Sequence, residues 1–330
     1  MVPKRQTFFV WLVCLMSFNC DVNGIVSSVL TTPVGQLDDQ TNWNLLANHT
    51  RNSPQRTSNT KLNVFSKILL ANIKARTRIG RTDDGVFLFQ GDIKIHQSEV
   101  NIIIASGNTG RKKRALMRDR TRLWQSPIYY DLSPRLNNYA RNAIESAIKE
   151  WKNVLSCVQW KKVSSRPPSS YLHFFPGDGC FSSVGRTGER KQEVSIGDGC
   201  EDHGTVVHEI AHALGFWHEQ SRQDRDAYVK IIWQNILPAM RYNFEKYSRS
   251  KINNHGVKYD YNSVMHYGAY DFAKQAGLKT IQTLKKGVNI GDKQKLSAMD
   301  EKQAKLLYGC KKGPSPSTLT PSPSTQAPLP

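Results

Sequence analysis

A chain of 330 residues holds one large domain or two smaller ones, and its 38% hydrophobic content supplies a core for about 200 residues rather than for the whole length. The formal net charge of +19 divides into 15 Lys+Arg against 7 Asp+Glu before Ala115, and 31 against 20 from there on, so both portions are basic. No nucleic-acid-binding motif accompanies that charge, which argues against a nucleic-acid partner; acidic matrix, acidic substrate segments or plain solvation of a basic surface account for it.

In chain order, Lys4 and Arg5 precede a short apolar run from Phe8 to Phe18, the pattern of a secretory signal over residues 1–24. Cleavage after Gly24 places Val22 and Gly24 at the small-residue positions. The run is too short to span a bilayer and no later run approaches that length, so the expectation is a secreted, extracellular protein without a membrane span. Residues 25–114 read as a propeptide. Their first half is polar and carries one glycosylation sequon at Asn48. Their second half has two short apolar runs, Val86 to Phe89 and Val100 to Ala105, expected as strands. They end in Arg111-Lys112-Lys113-Arg114, directly before a change in composition, which marks Arg114-Ala115 as the cut of an activating processing protease rather than a solvated linker.

Residues 115–310 have the patterning of a packed catalytic domain. Ile128 to Asp131 reads as a strand, and Ser133 as the cap of a helix with Pro134 in its first turn. Leu136, Ala140, Ala143, Ile144, Ala147, Ile148 and Trp151 then recur at helical spacing. Strands are expected at Val158 to Val163, Tyr171 to Phe175 and Glu193 to Ile196, and a helix from near Glu201. Patterns thin out after Gly215 apart from an amphipathic stretch, Asp300 to Leu307. Residues 311–330 are Pro, Ser and Thr with few apolar groups, and are expected as a disordered tail. Cys14 and Cys20 lie in the signal. Cys157, Cys180, Cys200 and Cys310 remain for two disulfides in an oxidising compartment, with three connectivities open.

The chemistry sits in Val206 to Asp226, which spells His208-Glu209-x-x-His212-x-x-Gly215-x-x-His218. Residues four apart share a helix face, so His208 and His212 can bind one metal. Gly215 permits the positive-φ turn that stops the helix and returns His218 as a third ligand. Three nitrogens and an open position describe a catalytic zinc. Zinc lowers the pKa of its water to about 7, and Glu209 is placed to take that water's proton, a contribution of about 10²–10⁴-fold. The downstream Ser263-Val264-Met265-His266-Tyr267 completes the metzincin pattern with a methionine turn. Tyr267 reaches the site if that turn lies beneath it, and is otherwise core packing. Against all this stands a helix of solvated histidines that bind nothing; the number of independent matching positions opposes it.

The stretch HEIAHALGFWHEQSRQDRD together with SVMHYGAY resembles the astacin family of zinc metallopeptidases, from about Ala115 to Cys310. The resemblance implies a two-lobed α+β fold: a twisted mixed sheet and long helices in the upper lobe, an irregular lower lobe. It implies one zinc held by His208, His212 and His218, with Glu209 as base and extracellular protein or peptide substrates. It further implies that Tyr267 ligates zinc in the resting enzyme and then binds the oxyanion, and that Glu219 pairs with the new N-terminus at Ala115. The implied disulfides are Cys157–Cys310 and Cys180–Cys200. Phe89-Gln90-Gly91-Asp92 is similar to the family's latency motif, in which the aspartate, here Asp92, sits on zinc. No cysteine occurs between Asp21 and Ser156, so a cysteine switch has no thiol to use. Substrate is expected to lie along an edge strand, taken as Gln192 to Ile196. The alternatives are another metzincin with matrix substrates, and a matrix-binding pseudoprotease. Glu219, Asp92 and the missing switch cysteine oppose the first, and the intact Glu209 and histidines oppose the second.

Overall fold

The structure, a computed structural model, describes residues 63–75, 86–96, 120–164, 167–247 and 256–310. The expected signal, Asn48, the strand at Val100 to Ala105, the basic run, Ala115 and the tail lie outside those residues. No helix among the described residues is long and apolar enough to cross a membrane.

Helix α1 (Val64–Lys74) and strands β1 (Val86–Phe89) and β2 (Ile93–His96) come from the segment before Ala115. The rest contributes β3 (Ile128–Leu132), α2 (Asn138–Val154), β4 (Trp160–Lys162), β5 (Tyr171–Phe175), β6 (Cys180–Ser182), β7 (Lys191–Ile196), α3 (His203–Leu214), β8 (Val229–Ile231), β9 (Ile281–Thr283) and α4 (Ala298–Tyr308). The mixed sheet with its packed helices is the expected α+β arrangement.

The α2 stripe is buried as its spacing predicts, from Ala140 to Val154. Its cap, however, is Asn137 and not Ser133. Leu136 N donates to Ser133 O at 3.2 Å and closes a separate turn first. Asn137 Oδ1 then accepts the Ala140 amide at 2.8 Å, so the helix starts one turn later than Ser133 and Pro134 suggest. α3 begins at His203 after its N-cap Asp202, near Glu201 as expected.

The sheet runs β1-β2-β6-β7-β5-β3-β4. β7, β5, β3 and β4 are mutually parallel, and the β3–β4 pair is joined through α2, as a parallel pair requires. β6 is antiparallel to β7. Alternate residues point inward, so Leu172 and Phe174 of β5 and Val194 and Ile196 of β7 join α2 and α3 in one core. β7 is hydrogen-bonded on both sides, which corrects the edge strand expected at Gln192 to Ile196. Within residues 120–310 the sheet ends on β6 at one side and β4 at the other, and β2 lies parallel to β6, Ile93 opposite Ser182. The sequence misses β6 because three residues beside a disulfide carry too little periodicity to register.

A second core gathers the ribbon β8–β9 with Met240, Phe244, Tyr267, Phe272 and Ile290. Phe65, Leu69 and Leu88 from the upstream segment are part of it. Disulfides join Cys157 to Cys310 and Cys180 to Cys200.

Candidate metal centre

The geometry of the centre begins with α3. All residues from Gly204 to Leu214 are buried, so this helix is packed on every face and its ligands ride on a rigid element. Trp124 Nε1 donates to Ala213 O at 2.8 Å, and Tyr308 OH to Leu214 O at 3.1 Å, which occupies carbonyls at the helix C-terminus. Gly215 ends the helix at φ 112°, in the left-handed region, with the Gly215 and Phe216 amides bonded back to His212 O and Ala211 O. The chain then returns His218 to the helix face that carries His208 and His212.

His208, His212, His218 and Asp92 are fully buried, and their ligand atoms lie within 4.8 Å of one another. The Nε2 atoms of His208 and His218 are 3.3 Å apart. Asp92 Oδ2 stands 2.9 Å from His208 Nε2, 3.3 Å from His218 Nε2 and 3.4 Å from His212 Nε2. Each Nδ1 faces an acceptor oxygen: Val264 O at 2.9 Å for His208, Phe216 O at 2.8 Å for His212 and Gln90 Oε1 at 2.9 Å for His218. A carbonyl oxygen only accepts, so each Nδ1 carries the proton and each Nε2 presents a lone pair inward. Three lone pairs and a carboxylate converging in a dry space repel one another unless a cation sits among them. Tetrahedral zinc with bonds of about 2.0–2.1 Å separates its ligand atoms by about 3.3 Å, close to the 3.3 Å between the His208 and His218 Nε2 atoms and to the 2.9–3.4 Å from Asp92 to the three histidines. The donor set fits zinc.

Electrostatics agrees with the geometry. Burial pushes the His218 imidazole down to about 3 and lowers His212 as well, so both stand neutral, the metal-binding form. Glu209 is pushed up by burial and then by the Asp92 carboxylate. Neither Glu209 oxygen has a hydrogen-bond partner among the described residues. A buried carboxyl left so is costly in a purely structural role and is a common signature of a working acid–base group.

The methionine turn supports the centre from below. Met265 is buried, its amide bonded to Ser263 Oγ at 3.1 Å and its carbonyl accepting Glu219 N at 3.0 Å. Asp300, in the capping box of α4, holds Ser263 Oγ at 2.7 Å and Val264 N at 3.0 Å. The turn is thus pinned to α4 on one side and to His208 on the other, through Val264 O.

Tyr267 is fully buried, and burial keeps its phenol protonated. Its OH donates to Gln90 O at 2.6 Å, and its ring stacks on Phe65 at 3.9 Å. Glu219 is also buried. Glu219 Oε1 accepts Arg222 Nη1 at 3.1 Å and Asp260 N at 2.7 Å. Burial outweighs both and pushes its carboxyl up to about 8. Ala115 lies outside the described residues.

The upstream segment reaches this centre by two routes. Strand β2 extends the sheet beside β6 and carries Asp92 to the histidines; Ser182 N donates to Asp92 O at 3.1 Å. Helix α1 lays Phe65 against Tyr267, His218 (5.3 Å) and Phe272 (5.8 Å). Asn72 ties the two routes together, bonding Gly91 O and both the amide and the carbonyl of Cys180. Gly91, at φ 94°, lies against the Phe65 and Phe272 rings, where a Cβ would come within 3.0 and 3.3 Å of them.

Sequence reasoning anticipates the three histidines, Glu209, Asp92, Met265 and Gly215, and the structure brings these together. It misses Phe65, Asn72 and the side chain of Gln90. A signal for α1 existed: Phe65, Ile68, Leu69 and Asn72 follow helical spacing after a capping asparagine, Asn63. For Gln90 none existed, since a glutamine in a turn looks solvated until its partners are known.

Comparison with known proteins places these features in a family. The model of the Astacin peptidase family matches residues 116–309. Zinc metalloproteinase nas-13 of Caenorhabditis elegans is 39% identical over 229 residues, 67% of this chain and 50% of that protein. Zinc metalloproteinase nas-4 of the same organism is 40% identical over 225 residues, 67% of this chain and 69% of that protein. The chain spans about half the length of some relatives, 50% of nas-13 and 42% of nas-15. Among solved structures, high choriolytic enzyme 1, a hatching enzyme zinc-protease from Oryzias latipes, superposes with a TM-score of 0.54 at 34% identity, over 58% of this chain and 97% of that one.

Proposed function

The chain belongs to the astacin family of zinc metallopeptidases, and from that premise we propose that it is a secreted endopeptidase made as a latent zymogen. In this reading residues 1–24 are the signal, 25–114 the propeptide, 115–310 the catalytic domain and 311–330 a tail. An activating processing protease cuts at Arg114-Ala115, and the substrates are extracellular proteins or peptides. The observation that carries the reading is the convergence of three buried imidazoles and the Asp92 carboxylate beside a buried glutamate with no partner among the described residues.

His208, His212 and His218 would hold the zinc, with Asp92 as fourth ligand before activation. Bound zinc supplies a Lewis acid that polarises the scissile carbonyl and acidifies the attacking water. Glu209 takes the proton of that water on a carboxylate oxygen and passes it to the leaving amine; burial raises the affinity of that oxygen for the proton it must hold between the two transfers. Tyr267 keeps its proton and, once Gln90 O has departed, donates to the oxyanion of the substrate. Substrate backbone pairs with the edge of β6, which β2 occupies in the latent chain. The latency reading is supported by the position of Asp92 among the histidines and of β2 beside β6, where water and substrate would otherwise stand. After cleavage the Ala115 ammonium pairs with Glu219, whose raised pKa shows that Arg222 alone does not offset its burial.

The test is hydrolysis of a quenched peptide library by the zinc-loaded protein before and after treatment with a furin-type protease. Activity should appear only after cleavage, and Glu209→Ala should lower it by at least about 10²-fold. Equal rates for wild type and Glu209→Ala would sink the enzyme reading.

A further inference from the structure

Two of the three histidine ligands are oriented by carbonyls of the catalytic domain itself, His208 by Val264 O and His212 by Phe216 O. The third is not. His218 Nδ1 finds its acceptor on Gln90 Oε1, in the propeptide, at 2.9 Å. The orientation of the Gln90 amide is fixed from its other end. Gln90 Nε2 donates to Ser221 Oγ at 2.7 Å and to Asn243 O at 3.2 Å, so Oε1 is the atom turned to the histidine. The whole residue is buried, and its backbone is held at φ 55°, in the left-handed region that disfavours a residue with a side chain. Such strain persists only where surrounding contacts impose it. Here they do: the carbonyl of the same residue accepts the Tyr267 hydroxyl.

We infer that Gln90 is a positioning residue of the metal centre, which holds His218 in its Nε2-presenting tautomer and makes the uncleaved chain the tighter zinc-binding form. The inference rests on the zinc reading above and adds to it. Asp92 contributes a ligand; Gln90 contributes the outer partner of another ligand, and both leave with the propeptide. Outer partners of this type commonly change metal affinity 10–100-fold when removed. The chain is thus built to load zinc while latent, and its grip on zinc loosens at activation.

The experiment measures zinc transfer from the full uncleaved chain to a chromophoric chelator at equilibrium. Gln90→Met keeps the length of the side chain and removes both ends of the bridge; it should raise the zinc dissociation constant by about 10–100-fold. Gln90→Glu retains an acceptor for Nδ1–H and should stay within about threefold of wild type, a rescue that a merely space-filling role would not produce. After cleavage at Arg114 and separation of the propeptide, residue 90 is gone, and the Met variant and wild type should hold zinc alike. An independent reading needs no variant: on the ¹⁵N-histidine-labelled wild type, the His218 Nδ1–H should exchange slowly before cleavage and faster afterwards. The inference is overturned if Gln90→Met binds zinc as tightly as wild type while Asp92→Asn weakens it, or if the His218 proton exchanges fast in the uncleaved chain. A wild-type chain that takes up no zinc would instead overturn the metallopeptidase reading itself, and this inference with it.

Discussion

Phe65→Ala should make the latent enzyme leak. Phe65 is wholly buried and stacks on Tyr267 at 3.9 Å, with His218 and Phe272 around it. Truncating a buried phenylalanine costs about 3–5 kcal/mol through lost burial and an unfilled cavity. The lower end applies, because this pocket opens to water once the propeptide moves away. Phe65 belongs to the second core but to neither disulfide nor the first core, so the loss falls on the packing of α1 against Tyr267, His218 and Phe272. A docking equilibrium weakened by about 3 kcal/mol shifts the open population about 100-fold. The assay is residual peptide hydrolysis by a chain made uncleavable with Arg114→Ser, with its intactness checked by mass. Leakage should rise by about two orders of magnitude over the same chain with Phe65 intact, with the thermal midpoint of the catalytic domain little changed. A leak that stays within threefold, in a variant that folds and whose Asp92→Asn counterpart does leak, would refute the docking argument and leave the aspartate as sole latch.

Other consequences follow from particular groups. Gly215→Ala forces a side chain onto a backbone at φ 112°; it should cost at least about 1 kcal/mol, read by denaturant titration, and should weaken zinc retention because the turn that returns His218 is displaced. Tyr267→Phe in the activated enzyme should lower kcat by about 10²–10³-fold with little change in KM, since the lost hydrogen bond forms only in the transition state; an unchanged kcat would return Tyr267 to plain packing. Asp300 has its carboxyl raised from 3.8 to about 6 by burial, against its hydrogen bonds to Ser263, Ser297 and Val264. Because the folded chain binds this proton more tightly than the unfolded one, the contribution is full below about pH 4 and is lost as pH rises through 6, by up to about 3 kcal/mol. The stability of wild type relative to Asp300→Asn should therefore fall between pH 4 and 6 and level off above; a flat difference would contradict that assignment.

Much of the centre was legible before any coordinates because its grammar is local. His208, Glu209 and His212 lie within five residues, and helix geometry alone puts the two histidines on one face. Gly215 announces its own turn, since few other residues adopt a positive φ without strain. The α2 stripe and β5 follow from period, as their burial shows. The exact start of α2 was not legible, because Ser133 and Asn137 are both competent caps and only the turn at Leu136 decides between them.

What the sequence by itself determined is a metallopeptidase motif with a helix to carry it, an even cysteine count and a candidate latency aspartate. Tertiary structure decided that β7 is an interior strand, since its pairing with both β5 and β6 leaves no mark in its own six residues. It also decided that Tyr267 is engaged by Gln90 and Phe65, and that the third histidine is oriented by a residue that precedes Ala115. These contacts join residues 128 to 202 positions apart. A hydrogen bond or a stacked ring leaves no period in the sequence at that range; only the packing that buries both partners together selects them.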